Sequence, residues 1–540
     1  MNKLFIRLLK ARNLSPDFLH PKYEDLSDPF DMPDMKKAVE RIKKAIKGHE
    51  KILIYGDYDA DGVTASTLME QALKLAGAAP SNLDIMLPDR FADGYGMSPR
   101  LVERAKKQGA SLIITVDCGS RNHKIINSLN ELNIDSVVTD HHETDVELPK
   151  AVAIVNPKRK DCQISPELRD LAGVGVAFKV ASALVQEGLI KEGQEKWLLD
   201  LVLIGTMCDS MPITGENRIL GYYGIKVLEK TRRRGLRELM KNAGVNKLNS
   251  ESIGFQIGPR INAAGRLESA EIALNLLRTD SASEAASLAS RLEELNKKRK
   301  AEQLTAVKEI EKRGVSKSPV IVESGNWHEG IIGIVAGRLL ETYKRPAFVL
   351  TETTGDVLKG SGRSFGEFNL ASALANVGDS IVSGGGHAGA AGVRVKKANL
   401  QLFAEKLNDY YKNLNLGDQS KFLVNHPDLE VDDFSDFTLD FLQDLKLLEP
   451  FGPGNEEPIF RLKNVSIREI RSMGAEGKHL RVDLKDRSGK PLKLVAFYAP
   501  ESWLNLDPGY DHIEPLVKLV ENDFNGVRSV EARIVDIDMI

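Results

Sequence analysis

The sequence has few cysteines. Three occur among 540 residues, Cys118, Cys162 and Cys208, and no two of them stand at CxxC spacing. Disulfide-rich domains and structural zinc sites need several cysteines at short spacing. The sequence therefore excludes a disulfide framework and a CxxC zinc site, and we expect Cys118 and Cys208 to be small buried side chains.

The sequence also lacks long apolar runs and a strong net charge. No stretch approaches the roughly 18 consecutive apolar residues of a membrane helix, and the apolar run within Met1–Leu9 is too short for a signal peptide. We therefore expect a cytoplasmic protein without membrane contact. Because 74 Lys and Arg stand against 77 Asp and Glu, bulk positive charge cannot attract nucleic acid, and any polyanion site must be local.

The composition is that of a globular protein of several domains, with 42% hydrophobic and 28% charged residues. After Lys51, short apolar runs alternate with segments of helical periodicity such as Thr64–Leu75, Pro99–Lys107 and His123–Leu132. This alternation is typical of a parallel α/β sheet, whose ligands bind at the carboxyl ends of the strands. The predicted strands are Ile52–Tyr55, Leu83–Leu87, Leu112–Val116, Ser136–Thr139 and Val152–Val155.

The pattern changes along the chain and predicts five parts. An N-terminal extension (1–50) with a helix Met35–Lys47 packs on the α/β unit (51–282). A long solvent-exposed helix (283–314) joins this unit to a second α/β lobe (315–415). The last part (425–540) alternates short β-type runs with turns, which predicts a small β-barrel. Its runs are Val465–Ile470, Leu480–Leu484, Leu492–Phe497 and Ser529–Ile534.

Three carboxylates follow the first strand at alternate positions, Asp57, Asp59 and Asp61. Like charges at such short spacing repel one another unless a cation neutralises them, although an acidic turn is the simpler interpretation. An EF-hand loop also begins D-x-D-x-D-G. Position twelve of that loop is Leu68 instead of Glu, and an apolar strand precedes it, so we do not expect calcium.

The following apolar runs end in similar side chains. Leu112–Val116 leads to Asp117, Ser136–Thr139 leads to Asp140-His141-His142, and the run Leu198–Gly205, which we group with these strands, leads to Asp209. Each alone could be a helix cap or a buried histidine. Because these carboxylates and imidazoles converge at one rim of a sheet, they favour the binding of Mn²⁺ or Mg²⁺. Two such ions about 3.5–4 Å apart suit phosphoryl hydrolysis.

A glycine-rich segment, Gly384–Gly392, contains five glycines in nine residues. Its backbone N–H groups could form an anion-binding nest, and Arg363 and His387 could join them around a phosphate, although most such segments are ordinary turns.

Two basic segments allow a functional and a structural interpretation. Lys463–Lys493 has nine Lys or Arg against four Asp or Glu, which indicates a solvated face or, with His479 and Phe497, a groove for single strands. We favour the groove. Lys230–Lys241 is either a solvated helix face or a DNA-entry rim, and its arginines are Arg232, Arg233, Arg234 and Arg237.

In chain order, five motifs resemble those of the DHH phosphoesterases: 56–62 (GDYDADG), 116–119 (VDCG), 140–142 (DHH), 205–210 (GTMCDS) and 384–389 (GGGHAG). Within that family the chain is similar to the bacterial exonucleases specific for single-stranded DNA. This similarity includes 258–266 (GPRINAAGR) and 450–455 (PFGPGN), which the smaller members lack.

The resemblance implies a two-metal site in the catalytic domain 51–282. Asp59, Asp61, His141 and Asp209 would be ligands, Asp117 would bridge the ions, and His142 would face the scissile phosphate. Pyrophosphatase-like members have a metal-binding histidine where this chain has Tyr55, so Asp57 would supply a ligand directly or through water. Arg363 would stabilise charge on the phosphate. The implied substrate-binding residues are Ser361, Arg363, Ser364, Gly385, Gly386, His387, Arg260, Asn262 and Arg266.

The function so implied is 5′-to-3′ removal of nucleotides from single-stranded DNA in repair and recombination, with the C-terminal part as an oligonucleotide-binding (OB-like) domain. The direction of cleavage rests on the resemblance alone. Two alternatives stay open: a DHH phosphodiesterase that acts on short RNA, cyclic dinucleotides or pyrophosphate, and a non-catalytic single-strand-binding protein. We expect a monomer, with a helicase or a single-strand-binding protein as its partner.

Overall fold

The computed structural model of the protein describes residues 2–94, 96–353, 355–474, 477–506 and 513–539. Among these residues, no helix has the length and apolar character needed to cross a bilayer. The predicted mixed α/β architecture with a parallel sheet is confirmed.

The first sheet has five parallel strands in the order β2-β1-β3-β4-β5. Successive side chains of β1 point to opposite faces, and both faces are covered: Ile52 and Ile54 enter one core, while Leu53 and Tyr55 enter another. This double burial explains the unbroken apolar run. The strands are β1 (Ile52–Tyr55), β2 (Leu83–Met86), β3 (Leu112–Val116), β4 (Asp135–Thr139) and β5 (Ala153–Val155).

Helices before and between these strands cover the sheet, and a helical region follows it. In that region the turn Ile253–Ile257 is a single π-helical turn between α12 and α13. The helices are α1 (Lys3–Ala11), α2 (Pro16–Leu19), α3 (Met35–Lys47), α4 (Ala60–Leu75), α5 (Pro99–Gln108), α6 (His123–Glu131), α7 (Pro166–Arg169), α8 (Gly173–Gln186), α9 (Leu199–Cys208), α10 (Gly215–Glu229), α11 (Arg234–Asn242), α12 (Ser250–Ser252), α13 (Gly258–Leu267), α14 (Glu271–Arg278) and α15 (Ala282–Arg313).

Our grouping of the run Leu198–Gly205 with the strands is wrong. The run forms the buried helix α9, and Asp209 is the residue that caps its C-terminus. A short apolar run that is buried on all sides has no periodicity to separate helix from strand, and this is the reason for the error.

The long helix α15 is where we predicted it, but only one face of it is exposed to solvent. Leu292 and Leu295 in its first half belong to the core of the catalytic unit, and Ala306 and Ile310 in its second half belong to the core of the second lobe. The helix therefore joins the two units by packing into both.

The second lobe is a five-stranded sheet in the order β6-β7-β8-β10-β9. The glycine-rich segment forms the edge strand β9 and a hairpin to β10, with Gly384–Gly386 paired antiparallel to residues of β10. Gly384–Gly386 have extended, ladder-forming backbones and form no nest, whereas a nest at the hairpin tip 387–389 stays a prediction. The elements are β6 (Ile321–Gly325), α16 (Ile332–Tyr343), β7 (Ala347–Glu352), β8 (Val357–Arg363), α17 (Leu370–Asn376), β9 (Ser383–Gly386), β10 (Ala390–Lys396) and α18 (Leu400–Asn413).

The C-terminal domain is a seven-stranded sheet in the order β11-β12-β16-β17-β15-β14-β13. The strand-rich domain is confirmed, and closure of its sheet into a barrel stays a prediction. Its elements are β11 (Leu429–Val431), α19 (Leu439–Lys446), β12 (Phe460–Leu462), β13 (Ser466–Met473), β14 (His479–Lys485), β15 (Pro491–Ala496), α20 (Glu501–Leu504), β16 (Ile513–Phe524) and β17 (Val527–Met539).

The N-terminal extension does not pack as one piece. Helix α3 lies on the catalytic unit, with Val39 and Ile42 in its core. Helix α1 instead contributes Phe5 and Leu8 to the core of the C-terminal domain, where Arg12 forms an ion pair of 2.6 Å with Asp428. The expectation that the extension packs on the catalytic unit is therefore wrong for α1.

Arg218 of α10 links three parts of the chain. Its buried guanidinium donates to the carbonyl oxygens of Phe18 (3.2 Å), Leu447 (2.8 Å) and Leu448 (3.0 Å), and also to that of Glu449. The N–H groups of this one side chain thus link the catalytic unit to the N-terminal segment and to the C-terminal domain.

We expect Arg218→Met to destabilise the folded protein by about 3 kcal/mol, because several buried carbonyl groups lose their charged donor. Chemical denaturation measures this change, and limited proteolysis shows whether the C-terminal domain separates first. Arg237→Met, at an exposed position on α11, is the control. Equal stability of the two variants would contradict the linking role of Arg218.

Candidate metal centre

The first group of carboxylates is held by the start of α4. Asp59 caps this helix, with its Oδ1 accepting from the N–H groups of Asp61 and Gly62 at 3.0 Å each. Asn262, a predicted substrate-binding residue, also acts here, because its Oδ1 accepts from the N–H of Ala60 at 2.9 Å. These bonds place Asp57, Asp59 and Asp61 around one turn at the carboxyl end of β1.

Helix α8 points its N-terminus at Asp61. The N–H groups of Gly173 and Val174 donate to this carboxylate at 2.7 and 2.9 Å, which is the arrangement in which a helix end favours negative charge. A Cβ atom at Gly173 would lie 2.5 Å from the Cβ of Asp117. The approach of α8 to the two aspartates therefore requires glycine at this position.

Asp117 and Asp140 follow β3 and β4. Asp117 has a φ of 61°, a left-handed backbone that is unusual for a residue other than glycine and that clusters at functional sites. The Asp140 carboxylate accepts from the N–H groups of Ser120 (3.0 Å), His141 (2.8 Å) and His142 (3.1 Å), and it lies 2.9 Å from His142 Nδ1. Asp140 thus positions both histidines.

The structure brings all six predicted metal ligands together. His141 Nε2 lies 3.1 Å from Asp117, 3.6 Å from Asp209 and 3.9 Å from Asp61. Within the described residues, three groups have ligand atoms that all lie within 4.8 Å of one another. These groups are Asp61, His141 and Asp209; Asp117, His141 and His142; and Asp57, Asp59 and Asp117.

The unsatisfied atoms of this cluster fit a divalent cation. Asp117 Oδ1 and His141 Nε2 are buried and have no hydrogen-bond partner among the described residues. Leaving buried polar atoms unpaired is costly. Hard carboxylate oxygens with imidazole nitrogens are the donor set that suits Mn²⁺ or Mg²⁺.

The pKa values of the cluster show the same need for positive charge. Burial, followed by the charge of Asp59, raises the pKa of Asp57 to about 8 and that of Asp209 to about 7. Burial and the charges of neighbouring aspartates also raise the pKa of Asp61 and Asp117 well above their usual range. Without cations, the site therefore keeps protons that ordinary aspartates have lost near neutral pH.

The two histidines differ in charge. Burial and the positive charge of His142 lower the pKa of His141 to about 3, so His141 is neutral and can act as a ligand. Burial opposes protonation of His142 as well, but the hydrogen bond and charge of Asp140 raise the pKa of His142 to about 9. His142 is therefore a cation beside the carboxylates at neutral pH.

Several arginines lie close to one another near the carboxylate cluster. Burial, followed by the charges of Arg90, Arg363 and Arg299, lowers the pKa of Arg266 to about 9. Burial and the charge of Arg90 lower the pKa of Arg363. Within the described part of the chain, none of these four guanidinium groups forms an ion pair with Asp or Glu, and the charge of Asp59 offsets only part of the effect of the neighbouring arginines on Arg266.

Arg90 and Arg299 were missed by the sequence analysis. Arg90 stands four residues after the end of β2, so inspection of every strand end would have found it. Arg299 lies on a helix that we interpreted as a solvent-exposed connector, and nothing in the sequence indicated that this face turns inward.

The remaining predicted substrate residues lie in different places. Ser361 Oγ is 3.1 Å from Arg363 Nη1, and Ser364 Oγ donates to the carbonyl of Phe368. The exposed hairpin that contains Gly385, Gly386 and His387 lies beside these residues, because Ala390 pairs with Arg363. Arg260 is not brought to the carboxylates. Its Nε donates to Glu293 of α15 at 2.6 Å, so substrate contact by Arg260 stays a prediction.

Comparison with known proteins agrees with this geometry. Residues 51–206 match the DHH family, N-terminal domain, residues 317–413 match the DHHA1 domain, and residues 428–536 match the RecJ OB domain. The single-stranded-DNA-specific exonuclease RecJ of Escherichia coli is 33% identical over 529 residues, which cover 93% of this chain and 90% of that protein. The chain belongs to the RecJ family.

Other relatives of this RecJ-family chain extend the comparison. The exonuclease RecJ of Bacillus subtilis is 38% identical over 526 residues, which cover 96% of this chain and 65% of that protein. The crystal structure of RecJ in complex with Mn²⁺ from Thermus thermophilus has a TM-score of 0.83 at 28% identity and covers 100% of this chain and 76% of that chain. A second structure of that protein is in complex with Mg²⁺. The predicted family and the predicted Mn²⁺ or Mg²⁺ are confirmed.

Metal binding to this RecJ-family chain is expected to depend on pH. The raised pKa values of Asp57 and Asp209 mean that the metal-free folded state binds protons that the unfolded chain has released above about pH 4. Its stability therefore falls as pH rises from about 4 to 8. Since a cation replaces these protons, we expect Mn²⁺ to raise the melting temperature more at about pH 8.5 than at about pH 6.

Thermal unfolding of chelator-treated protein with and without Mn²⁺ measures this difference. Asp117→Asn should lose most of the increase, and Asp409→Asn, at an exposed position on α18, should keep it. An equal increase at both pH values in the parent protein would contradict the prediction.

Proposed function

We propose that this chain removes nucleotides from single-stranded DNA in the 5′-to-3′ direction, with two divalent cations held at the carboxylate cluster. The observation that carries the proposal is the sharing of ligands between groups: Asp117 belongs to two of the three candidate groups and His141 to two. Two adjacent cations need such bridging ligands. The RecJ proteins of Escherichia coli and Bacillus subtilis are named as single-stranded-DNA-specific exonucleases, which supports the exonuclease activity and the single-stranded substrate.

We assign the ligands by their positions in the cluster. Asp61, His141 and Asp209 would hold one ion, Asp57 and Asp59 would hold the other, and Asp117 would bridge them. When bound, the ions would activate water and neutralise charge on the scissile phosphate. The N-terminus of α8 and the cap of α4 hold the aspartates in place before any ion binds.

His142 is proposed to act on the phosphate oxygens. It is held by Asp140 and carries a positive charge at neutral pH. A fixed cation beside the reacting phosphate stabilises the negative charge that develops there without reorganisation during the reaction.

The arginine cluster is proposed to bind phosphate groups of the strand and, at its end, the terminal 5′-phosphate. Arg363 and Arg266 belong to different domains, and neither forms an ion pair with a carboxylate of the described residues. Guanidinium groups match phosphate oxygens in charge and geometry. A terminal anion held at a fixed distance from the metal centre would make cleavage start from that end.

The C-terminal domain is proposed to bind the part of the strand that lies beyond the metal centre and the arginine cluster. Several cations of Lys463–Lys493 are neutralised, for example Arg481 by Asp483 and Lys493 by Glu531. The rings of Phe497 and Tyr498 lie 5.5 and 4.9 Å from that of His479, and both residues are largely exposed. Aromatic stacking therefore supports the groove for single strands more strongly than charge does.

The domain division that we propose is the one predicted from the sequence, 1–50, 51–282, 283–314, 315–415 and 425–540. We further propose that the protein acts in the cytoplasm as a monomer, and that a helicase or single-strand-binding protein supplies its substrate. A site for dinucleotides alone would not need the OB domain matched at 428–536, and this supports single-stranded DNA over the smaller substrates.

We expect Asp117→Asn to lower exonuclease activity by more than about 100-fold, because loss of even an outer partner of a metal ligand costs 10- to 100-fold. The assay follows single-stranded DNA labelled at the 5′ or the 3′ end, with and without Mn²⁺. Asp409→Asn is the matched control. Unchanged turnover in Asp117→Asn would contradict the metal centre, and early loss of a 3′ label would contradict the direction of cleavage.

We expect Arg266→Met to raise KM by about tenfold for a 5′-phosphorylated strand and to change it little for a 5′-hydroxyl strand, because a charged hydrogen bond to the terminal phosphate is lost. Steady-state kinetics on the two strands measure the ratio. Arg338→Met, at an exposed position that pairs with Glu341 on α16, is the control. The same loss on both strands would show that Arg266 does not bind the terminal phosphate.

A further inference from the structure

A phenylalanine lies in solvent at the π-helical turn between α12 and α13. Phe255 is 74% exposed, whereas Ile253 and Ile257 at the two ends of the turn are completely buried. A Cβ atom at Gly254 would meet no other atom within 4 Å, so the surface beside Phe255 is open. Single π-helical turns are rare and occur frequently at functional sites.

The turn borders a groove beside the metal centre. The groove has a volume of about 700 Å³ and is lined on one side by Cys208 and Ser210, the neighbours of Asp209. Its other side is formed by the C-terminal domain, with Lys518 and Arg533 of β16 and β17. Phe255 therefore lies between the metal centre and the domain that we propose to bind the strand.

The groove does not attract phosphates, because its lining carries four carboxylates, Glu251, Glu449, Glu456 and Glu457, against the two cations Lys518 and Arg533. Lys518 is 3.1 Å from Glu457, and Arg533 is 3.1 Å from Glu251, so both cations are already paired. Neutral hydrogen-bonding side chains, Asn249, Ser250 and Asn262, also line the groove. A strand that lies here would turn its uncharged bases, and not its phosphates, toward this wall.

We propose that Phe255 stacks on a base of the single strand between the C-terminal domain and the metal centre. This inference rests on the proposed function. Both faces of a base in duplex DNA are covered by its neighbours, whereas a base in a single strand can expose a face to an aromatic ring. Phe255 is thus a residue that selects single strands.

Binding of fluorescently labelled oligonucleotides with divalent metal withheld tests the proposal. We expect Phe255→Ala to weaken binding by about tenfold, the size of effect that loss of one stacked base gives. Because stacking involves no phosphate, the slope of log affinity against log salt should stay that of the parent. Phe255→Trp should restore affinity, Phe255→Leu should not, and Leu402→Ala, on the outer helix α18, should bind as the parent does.

A series of oligonucleotides with one abasic residue at successive positions gives the direct test. In the parent protein, one position should be more sensitive than the others, and in Phe255→Ala that position should lose its extra sensitivity. Equal affinity of Phe255→Ala and the parent, or the same sensitivity profile in both, would overturn the stacking role.

The outcome also separates this inference from the proposed function. A parent protein that neither binds nor degrades single-stranded DNA would contradict the function. A parent protein that does both, with Phe255→Ala unchanged, would contradict only the inference.

Discussion

Mutual repulsion among buried aspartates is the constraint on which the rest of this structure depends. Asp57 and Asp61 follow β1, Asp117 follows β3 and Asp209 ends α9, so they come from three different segments of the chain, and burial raises the cost of each negative charge. The surrounding elements offset this cost with backbone N–H groups, above all those at the start of α8. The fold holds together a group of ligands that would separate in a more flexible protein.

The carboxylates of the site come from one lobe, whereas its arginines come from both. The carboxylates lie on the catalytic unit, whereas Arg363 belongs to the second lobe, and Arg266 and Arg299 lie on α13 and α15 at the junction. Because α15 is packed into the cores of both lobes, the distance between the negative and positive groups is set by a rigid helix. A phosphodiester between cations and guanidinium groups would find both partners already in place.

Much of the fold and of the candidate site could be predicted from the sequence. The strand β1 could be predicted because burial on both faces gives it an unbroken apolar run. Its three aspartates could be predicted because they directly follow the end of that strand. Both patterns are local in the sequence. Asp209 was identified by resemblance even though its helix was taken for a strand. The partners of Arg218 and Arg299 could not be predicted, because they depend on which faces of α10 and α15 meet segments distant in sequence. The pairing of α1 with the last domain joins Arg12 to Asp428, and no local pattern encodes that contact.

The position of α1 determines how the C-terminal domain can move. That domain follows the second lobe through 414–428 and is joined to the catalytic unit through 12–34, which leaves α1 and packs along α8 and α10, where Lys179 donates to the carbonyl of Ser27 and Tyr223 to that of Pro21. Arg218 of α10 adds direct bonds from the catalytic unit to Leu447 and Leu448. A body attached at one point can swing in any direction, whereas one that is held at several separate points can turn much less. We therefore expect the groove between the catalytic unit and the C-terminal domain to keep a nearly constant width, so that the thickness of a ligand decides whether it enters more than the motion of a lid does.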